Sequence, residues 1–580
     1  MAEPPAALAE RLGREPALLA SVLPPLGRAL TAADPALASA AADYLAACAR
    51  ERGRTLARRG SWSHDDVLGL LTLQLVDPER FVEDAAFRGR ILALLPGTLD
   101  PAVPGPLRDE LLVELNQVRG VDFAASEAVE SAWGTAPRRS AGRRVAYAPG
   151  LRFEDDAERP LAASVYSLPS FFFEAGTADA FLSAVRKAAP EREIVVLTDL
   201  PLRRALEPRA AALRLHLLET HGRPYSPWPR DPFSLVRNGK GGVVVLVRPN
   251  LQRGREEDAH MGAELVQGLP DEVDRAWGGV TWTEAPVPFH NGQILPAEGS
   301  AWVTLHTLEP RILALLGVSR VPVETFGTAA GIDRYVTAAR QAARELSDLW
   351  GRPVRFVHPL PAGGQPDLLR RIGGGAGYDL DSLVTLLPGR NGPPTALVAD
   401  VSAGRALLAR LPAAEWNALR TGWDLGPTGD ALPAAVTAAQ GTPRAEQLDG
   451  FLDLTAEHLA GEGFRVRRLP LLGIPFSLLR NPGDLPEGGE EFLLTWNNVV
   501  AETRGGGGTL RLRAEGFSSL LPSGDRVATE AFAAAGARLD LFPPLTRSVV
   551  LNGGYRCASN HVRAARPTLT SSRGARSRRR

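Results

Sequence analysis

One thiol near the C-terminus and three distant acidic residues could together perform chemistry on a cation. Cys557 lies in the stretch Asn-Gly-Gly-Tyr-Arg-Cys-Ala-Ser-Asn, whose two glycines permit a tight turn. Asp231 follows Trp-Pro-Arg in a proline-flanked turn, and Asp379 and Asp381 alternate in Tyr-Asp-Leu-Asp. Carboxylates bind a planar guanidinium through paired hydrogen bonds and would hold its carbon against the sulfur. These residue types indicate attack on a guanidino substrate, with a general acid for the leaving ammonia.

Four stretches, in this order, resemble the guanidino-group-modifying pentein superfamily, most closely the catalytic region of protein-arginine deiminases. They are "WPRD" (228–231), the stretch 377–388 with the apolar run after it, "TWNNVVAE" (495–502) and "GGYRCASN" (553–560). The resemblance covers residues from about 150 to 566. It implies an α/β fold, a pentein-like propeller of repeated ββαβ modules around a central site. It also implies a hydrolase that converts an arginine guanidinium to a ureido group through a Cys thiouronium intermediate.

The resemblance gives the matching positions their roles. Cys557 would attack the guanidinium carbon, and Asp231 and Asp381 would clamp the nitrogens. Trp228 belongs to the motif of Asp231, and Asn560 would support the nucleophile turn or the substrate.

Two arginines and one histidine are further candidates for substrate binding. Arg248 and Arg253 lie in a stretch that resembles a segment of the family. In that segment, arginines bind the backbone or carboxylate of the substrate. The alternative is that both are exposed loop arginines without a role in binding. His290, in "PVPFHNGQILP", lies roughly where the family places further site residues, and a satisfied loop histidine is the alternative.

Asp379 occupies the position of the family's catalytic histidine. Because Asp381 fixes the match at this point, no shift of the alignment would place a histidine there. Three interpretations stay open. Asp379 itself could serve as the acid, because neighbouring carboxylates raise one another's pKa. Another histidine could supply the group, with His290, His221 and His561 as candidates. Alternatively, the site is inactive and the fold binds a guanidino ligand or a protein partner.

The main candidates also have purely structural interpretations. Asp231 could be a turn acid or a local ion-pair partner of the arginine before it. Asp379 and Asp381 alternate, so on a strand they would share one face and form a solvated edge. Cys557 could be a small buried hydrophobic residue.

The elements that must position these residues form four loose copies of one pattern. In each copy, an apolar-faced helix leads through Gly or Pro to a short strand and a Pro-rich turn. The copies span 180–201, 340–361, 455–472 and 530–545. The polar segments that follow them are 226–233, 373–388, 490–502 and 548–560. Four turns from four modules could therefore converge at one site.

The chain divides into three predicted parts. Residues 1–140 form a helical N-terminal domain, 145–566 the pentein-like domain, and 567–580 a disordered Arg-rich tail. Within the helical part, Ser63 is expected to cap a helix, and Cys48 is expected to pack in a core.

Composition excludes some classes of function. Lys+Arg and Asp+Glu number 66 each, and a net charge of zero argues against a general nucleic-acid-binding protein. The Arg-rich tail could contact an anionic partner, although a solvated tail is the simpler expectation. The two cysteines form no zinc-binding cluster, and Pro232 rather than an acid follows Asp231, so we expect no metal, calcium included, and no cofactor.

The remaining expectations concern location and partners. The N-terminus has early acidic residues and lacks the long apolar run of a signal peptide, which favours a cytoplasmic protein. The expected partner is an arginine-containing peptide or a small guanidino molecule, with no membrane involved. The sequence leaves the oligomeric state open.

Overall fold

The computed structural model describes residues 19–77, isolated positions before them, parts of 80–111, and most of 143–564. Within the last stretch the gaps are 154–159, 171, 221–224, 250–254, 256, 319–327, 362–364, 376–377, 390–391, 427–430, 481–490, 505–508 and 544–553. Arg253, His221, the tail and the boundary near residue 140 therefore lie outside the described residues. What the sequence indicates about them stays a prediction.

The described N-terminal residues are helical, as expected. They form α1 (Leu19–Leu30), α2 (Pro35–Arg59) and α3 (His64–Leu75). Ser63 caps α3 by accepting a hydrogen bond from the amide of Asp66, whose side chain accepts one in return. Cys48 is fully buried among leucines of this helical core. The capping and packing predictions are both confirmed.

The chain from residue 161 onward is a mixed α/β structure with several small sheets, which confirms the α/β class. Its described strands are β1 (Leu161–Ser167), β2 (Glu193–Thr198), β3 (Leu215–Glu219), β4 (Phe233–Arg237), β5 (Val243–Val247), β6 (Val280–Glu284), β7 (Leu295–Ala297), β8 (Ser300–Val303), β9 (Val354–Phe356), β10 (Val384–Leu387), β11 (Thr395–Asp400), β12 (Arg465–Pro470), β13 (Leu472–Pro475), β14 (Glu491–Leu494), β15 (Val500–Arg504), β16 (Thr509–Glu515), β17 (Ala537–Phe542) and β18 (Ser559–Arg563).

Helices connect and cover these strands. They are α4 (Ala175–Ala188), α5 (Leu200–Leu213), α6 (Asp258–Gly268), α7 (Asp271–Ala276), α8 (Leu305–Leu316), α9 (Ala329–Trp350), α10 (Pro366–Gly373), α11 (Leu380–Leu383), α12 (Val401–Leu408), α13 (Ala413–Gly422), α14 (Ala431–Ala439), α15 (Pro443–Gly461) and α16 (Pro522–Ala534). Among the described residues, no helix has both the length and the apolar character required to cross a bilayer.

One strand order recurs in five of the sheets. Two strands pair antiparallel, and the second pairs in parallel with a third strand that follows one or more helices. The five units are β4–β5–β6, β7–β8–β9, β10–β11–β12, β15–β16–β17 and β18–β1–β2. In the last unit the first two strands come from opposite ends of the region, since β18 pairs antiparallel with β1. Each unit is therefore a ββαβ arrangement.

Four of the five units contain the helix–strand copies predicted from the sequence. The predicted copies correspond to α4–β2, α9–β9, α15–β12 and α16–β17. The fifth ends in α7 and β6. The helix α7 has only six residues, so it carries too few turns for a periodic apolar pattern.

A buried carboxylate links two of the units. Glu502 on β15 pairs with Arg192, which precedes β2, at 2.8 Å, and also with Arg513 on β16. The three side chains have no solvent exposure. A buried charge that loses its partner is costly, so the two arginines rely on this shared carboxylate.

Replacement of Glu502 by Gln should therefore lower the free energy of unfolding by about 3–5 kcal/mol, because it leaves buried guanidinium charge uncompensated. Denaturant unfolding measures the difference. The control is Glu462→Gln, which breaks the Arg355–Glu462 pair whose side chains are 52% and 34% exposed. Such a surface pair contributes less than about 1 kcal/mol. Equal effects of the two substitutions would contradict the prediction.

Candidate active site

The candidate site lies where five chain segments lead into the first strands of the five repeated units. The segments are 226–232 before β4, 290–294 before β7, 378–383 before β10, 495–499 before β15 and 554–558 before β18. Side chains from these segments contact one another over long sequence separations. The sequence singled out four of the five as polar segments, and the fifth contains His290.

The thiol of Cys557 is enclosed by an aspartate and an asparagine. Its Sγ lies 3.5 Å from Oδ2 and 3.8 Å from Oδ1 of Asp381, and Asn498 donates from Nδ2 to Sγ at 3.1 Å. The Asn498 Oδ1 accepts from the backbone amides of Arg556 at 2.6 Å and Cys557 at 3.2 Å. Gly554 packs so closely on Asn498 that a Cβ there would collide with it. One asparagine thus fixes the nucleophile turn.

Asp379 and Asp381 lie on a helical turn rather than on a strand. Asp379 is the residue before α11, and Asp381 lies within it and is fully buried. The alternative of a solvated strand edge is therefore wrong. One carboxylate oxygen of each aspartate and the Cys557 sulfur lie within 4.8 Å of one another. Gln293 donates from Nε2 to Asp379 Oδ1 at 3.1 Å.

Arg556, the residue before Cys557, neutralises the charge of Asp381. Arg556 Nη1 lies 2.7 Å from Asp381 Oδ2, and the two side chains are 2% and 0% exposed. Arg556 also donates to the backbone oxygens of Gly292 at 3.0 Å and Ile294 at 2.7 Å. This guanidinium therefore joins three of the five segments.

Asp231 holds a second guanidinium of the chain. Arg255 Nη1 lies 2.7 Å from Asp231 Oδ2, and its guanidinium carbon lies 4.6 Å from the centre of the Trp228 ring. Asp258 binds the same guanidinium at 2.7 Å. Gly292 packs directly on the Asp231 carboxylate, and a Cβ at that position would collide with it. Asp231 is thus an ion-pair partner of Arg255.

Burial and mutual repulsion set the protonation of the cluster. Burial, with the charges of Asp231 and Asp381, raises the pKa of Asp379 to about 7. Burial also raises the pKa of Asp381, and the Arg556 guanidinium opposes that rise. The pKa of Cys557 lies well above its usual value, because burial and the three carboxylates disfavour the thiolate. The Asp379 carboxyl therefore titrates near neutrality.

The described histidines do not contact the thiol. The hydrogen bonds of Cys557 within the described residues go to Asn498 and Asp381. His561 is held by Ser164 at 3.0 Å and Ser559 at 2.9 Å.

His290 stacks on His306 with ring centres 4.9 Å apart. Burial, His306 and Arg248 lower the pKa of His290 to about 3. This imidazole is therefore neutral at pH 7.

The other predicted binding residues have mixed placements. Arg248 is buried, at 5% exposure, rather than an exposed loop residue, and its backbone amide donates to Pro232. Asn560 donates from Nδ2 to the backbone oxygen of Phe233 at 2.8 Å. Asn560 therefore joins β18 to the start of β4, and its expected role toward the nucleophile turn or the substrate stays a prediction.

Four residues of the site were not identified from the sequence. They are Gln293, Asn498, Arg556 and Arg255. Asn498 and Arg556 lie inside quoted motifs, and Gln293 lies three residues after His290, so their positions were visible although their contacts were not. Arg255 comes from a charged loop with no local pattern that would have signalled its pairing with Asp231.

Comparisons with known proteins give little further guidance. No family model matches the chain, and no curated protein matches it in sequence. Among solved structures, one match is a protein described as a presumptive agmatine deiminase. It has a TM-score of 0.42 and 12% sequence identity, and the match covers 73% of this chain and 99% of that one. The chemistry of the site must therefore follow from its own residues.

Replacing Asp379 by Asn should lower the pKa of Cys557 by about one pH unit, because it removes one of the carboxylates that disfavour the thiolate. The pH dependence of alkylation measures the change, in a Cys48→Ala background that leaves one thiol. The control is Asp84→Asn in the helical region. An unchanged or raised thiol pKa in Asp379→Asn would contradict the electrostatic assignment.

Proposed function

We propose that the chain is a cysteine-dependent hydrolase of guanidino groups, of the protein-arginine-deiminase type, in which Asp379 replaces the usual catalytic histidine. The observation that carries this proposal is the convergence of the Cys557 thiol with Asp379 and Asp381. In that cluster Asp379 has a pKa of about 7. A general acid–base group works best when its pKa lies near the working pH.

In the first half-reaction, the Cys557 sulfur attacks the guanidinium carbon while its proton passes to Asp379. Protonated Asp379 then gives that proton to one nitrogen, which leaves as ammonia. The products are a covalent thiouronium, which keeps the positive charge, and neutral ammonia. Charge and protons balance, since the thiol proton ends on the leaving group.

In the second half-reaction, water attacks the thiouronium carbon. Ionised Asp379 accepts a proton from the water, and the carbon–sulfur bond breaks to release the ureido product. The thiol is restored, and one proton leaves to solvent. Asp379 thus alternates between base and acid in the two halves.

A side chain of the protein itself binds one of the two carboxylates assigned to the substrate guanidinium. Arg255 is held by the Asp231 carboxylate, and its guanidinium lies over the ring of Trp228, which belongs to the same motif. The Arg255 and Asp231 side chains retain 15% and 16% exposure, so they lie at the accessible edge of the cluster. A substrate guanidinium would exchange with Arg255 at this carboxylate. We extend the proposal to arginine in peptides and to small guanidino molecules as substrates.

A pentein-like propeller is the fold that we propose for this chemistry. The recurrence of the ββαβ order in five units supports it, as does the pairing of β18 with β1. So does the position of each site segment at the first strand of its unit.

A second candidate is a pentein that binds a guanidino ligand or a protein partner without turnover. The chain's own guanidiniums favour this alternative, because Arg255 and Arg556 already pair with the two carboxylates assigned to the substrate. The thiol also has no imidazole among its partners in the described part of the chain.

The two candidates differ in turnover. Incubation with arginine esters, agmatine and arginyl peptides should release ammonia and a ureido product. Cys557→Ser should reduce this release to background, because the hydroxyl is a weaker nucleophile, whereas Cys48→Ser should leave it unchanged. Absence of product, with guanidino binding that survives Cys557→Ser but is lost in Asp231→Ala, would establish the binding function instead.

The pH dependence should reflect one proton shared by Asp379 and Cys557. Between the pKa of Asp379, about 7, and the higher pKa of the thiol, the pair holds one proton, which is the active form. Below pH 7 the pair gains a second proton, on Asp379, so kcat/KM should fall about tenfold per pH unit as pH decreases, and should be level between pH 7 and the pKa of the thiol.

Two matched variants test whether the inflection near pH 7 comes from Asp379 or from a nearby histidine. In Asp379→Asn the inflection near pH 7 should disappear. In His306→Gln it should remain. Loss of the inflection in His306→Gln alone would transfer the role to that histidine.

A further inference from the structure

Two histidines and one glutamate form a separate cluster of metal-ligand residues. One ligand atom each of His290, His306 and Glu309 lies within 4.8 Å of the other two. The His306 Nδ1 and Glu309 Oε2 are 2.8 Å apart, and the His290 ring stacks on that of His306 at an interplanar angle of 30°. The three side chains thus offer two imidazole nitrogens and one carboxylate oxygen as metal ligands.

The backbone holds the cluster in place. His306 and Glu309 are three residues apart in the first turn of α8, so they project from one face of the helix. Thr304 caps that helix with a reciprocal hydrogen-bond pair to Thr307. The backbone amide of His290 donates to the oxygen of Thr307 at 2.9 Å, which fastens the His290 loop to the same turn. The positions of all three ligands therefore depend on the capped N-terminus of α8.

We propose that His290, His306 and Glu309 bind a divalent transition-metal ion, with Zn²⁺ as the best match. Two imidazoles and one carboxylate are a known protein ligand set for Zn²⁺ with one open position. Metal–ligand distances of about 2.0–2.1 Å place tetrahedral ligand atoms about 3.4 Å apart. The present separations are within reach of that value through small changes of side-chain rotamer.

The open coordination position would face a cavity. A cavity of about 640 Å³ is lined by His306 and Glu309, with Tyr335, Arg370, Leu369 and Phe451 among its other residues. The His306 and Glu309 side chains are 30% and 39% exposed, so an ion can reach them from this side. The site can thus hold an ion with an exchangeable fourth ligand, either water or a ligand bound in the cavity.

The charges around the cluster do not exclude a cation. Arg248 is the positive group close to His290, and its own surroundings include Asp231, Asp258 and Asp379, which offset its charge. Glu309 brings a negative charge directly to the ion. Binding would replace the His306–Glu309 hydrogen bond by bonds to the metal.

Zn²⁺ titrated into the chelator-treated full-length chain tests the proposal, with binding followed by calorimetry. One equivalent should bind, and Co²⁺ in its place should give the visible absorption of a low-symmetry site. His306→Ala and Glu309→Gln should each weaken binding by at least about tenfold. Because the readout is metal binding, it does not depend on the proposed guanidino hydrolysis.

Two controls give the test its specificity. His216→Ala breaks a similar His–Glu contact, between His216 Nε2 and Glu193 at 2.8 Å, that is not part of a three-ligand group in the described chain. Cys557→Ser removes the other three-ligand group, formed with Asp379 and Asp381. Both variants should bind one equivalent as the wild type does. Absence of saturable binding, or its loss in Cys557→Ser with retention in His306→Ala, would overturn the proposal.

Discussion

The ion pair between Asp381 and Arg556 is the interaction on which the candidate site depends. Three carboxylates and a thiol lie together, and burial makes every unpaired negative charge among them costly. Arg556 meets the charge of Asp381 and also bonds the backbone beside Gly292. Arg255 does the same for Asp231 at the edge of the cluster. Burial, together with the charges of Asp231 and Asp381, raises the pKa of Asp379 to about 7, and its hydrogen bond from the Gln293 amide only partly opposes that rise.

The repeated units explain how residues so distant in sequence can meet. Each unit contributes the segment just before its first strand, so similar topology delivers five different sets of side chains to one place. The segments are joined by side-chain-to-backbone hydrogen bonds, such as those of Asn498 to the cysteine turn and Asn560 to Phe233. Function can therefore vary through these short segments while the sheets remain the same, which is how one fold supports several chemistries.

The sequence predicts the α/β class and four helix–strand copies, because apolar periodicity and turn residues are local signals. The meeting of Cys557 with Asp379 and Asp381 is implied by the family resemblance rather than by these local signals. The sequence misses the fifth unit, in which the six-residue α7, rather than a longer helix with an apolar face, directly precedes the last strand. Alternation of Asp379 and Asp381 fits a strand and a single helical turn equally well over so short a stretch. The contacts of Arg255 and Arg556 could not be predicted, because the partner of a long flexible side chain is set by tertiary packing rather than by neighbours in sequence.

The pairing of β18 with β1 affects the order in which the parts of the site form during synthesis. These strands are separated by nearly the whole α/β region, so their contact closes a loop of roughly 400 residues and can form only after that region has been synthesised. The turn with Cys557 leads directly into β18, so it too is made after that region. During synthesis the carboxylates are complete long before the thiol emerges. The nascent protein thus carries these carboxylates before it has either the thiol or the Arg556 guanidinium that pairs with Asp381.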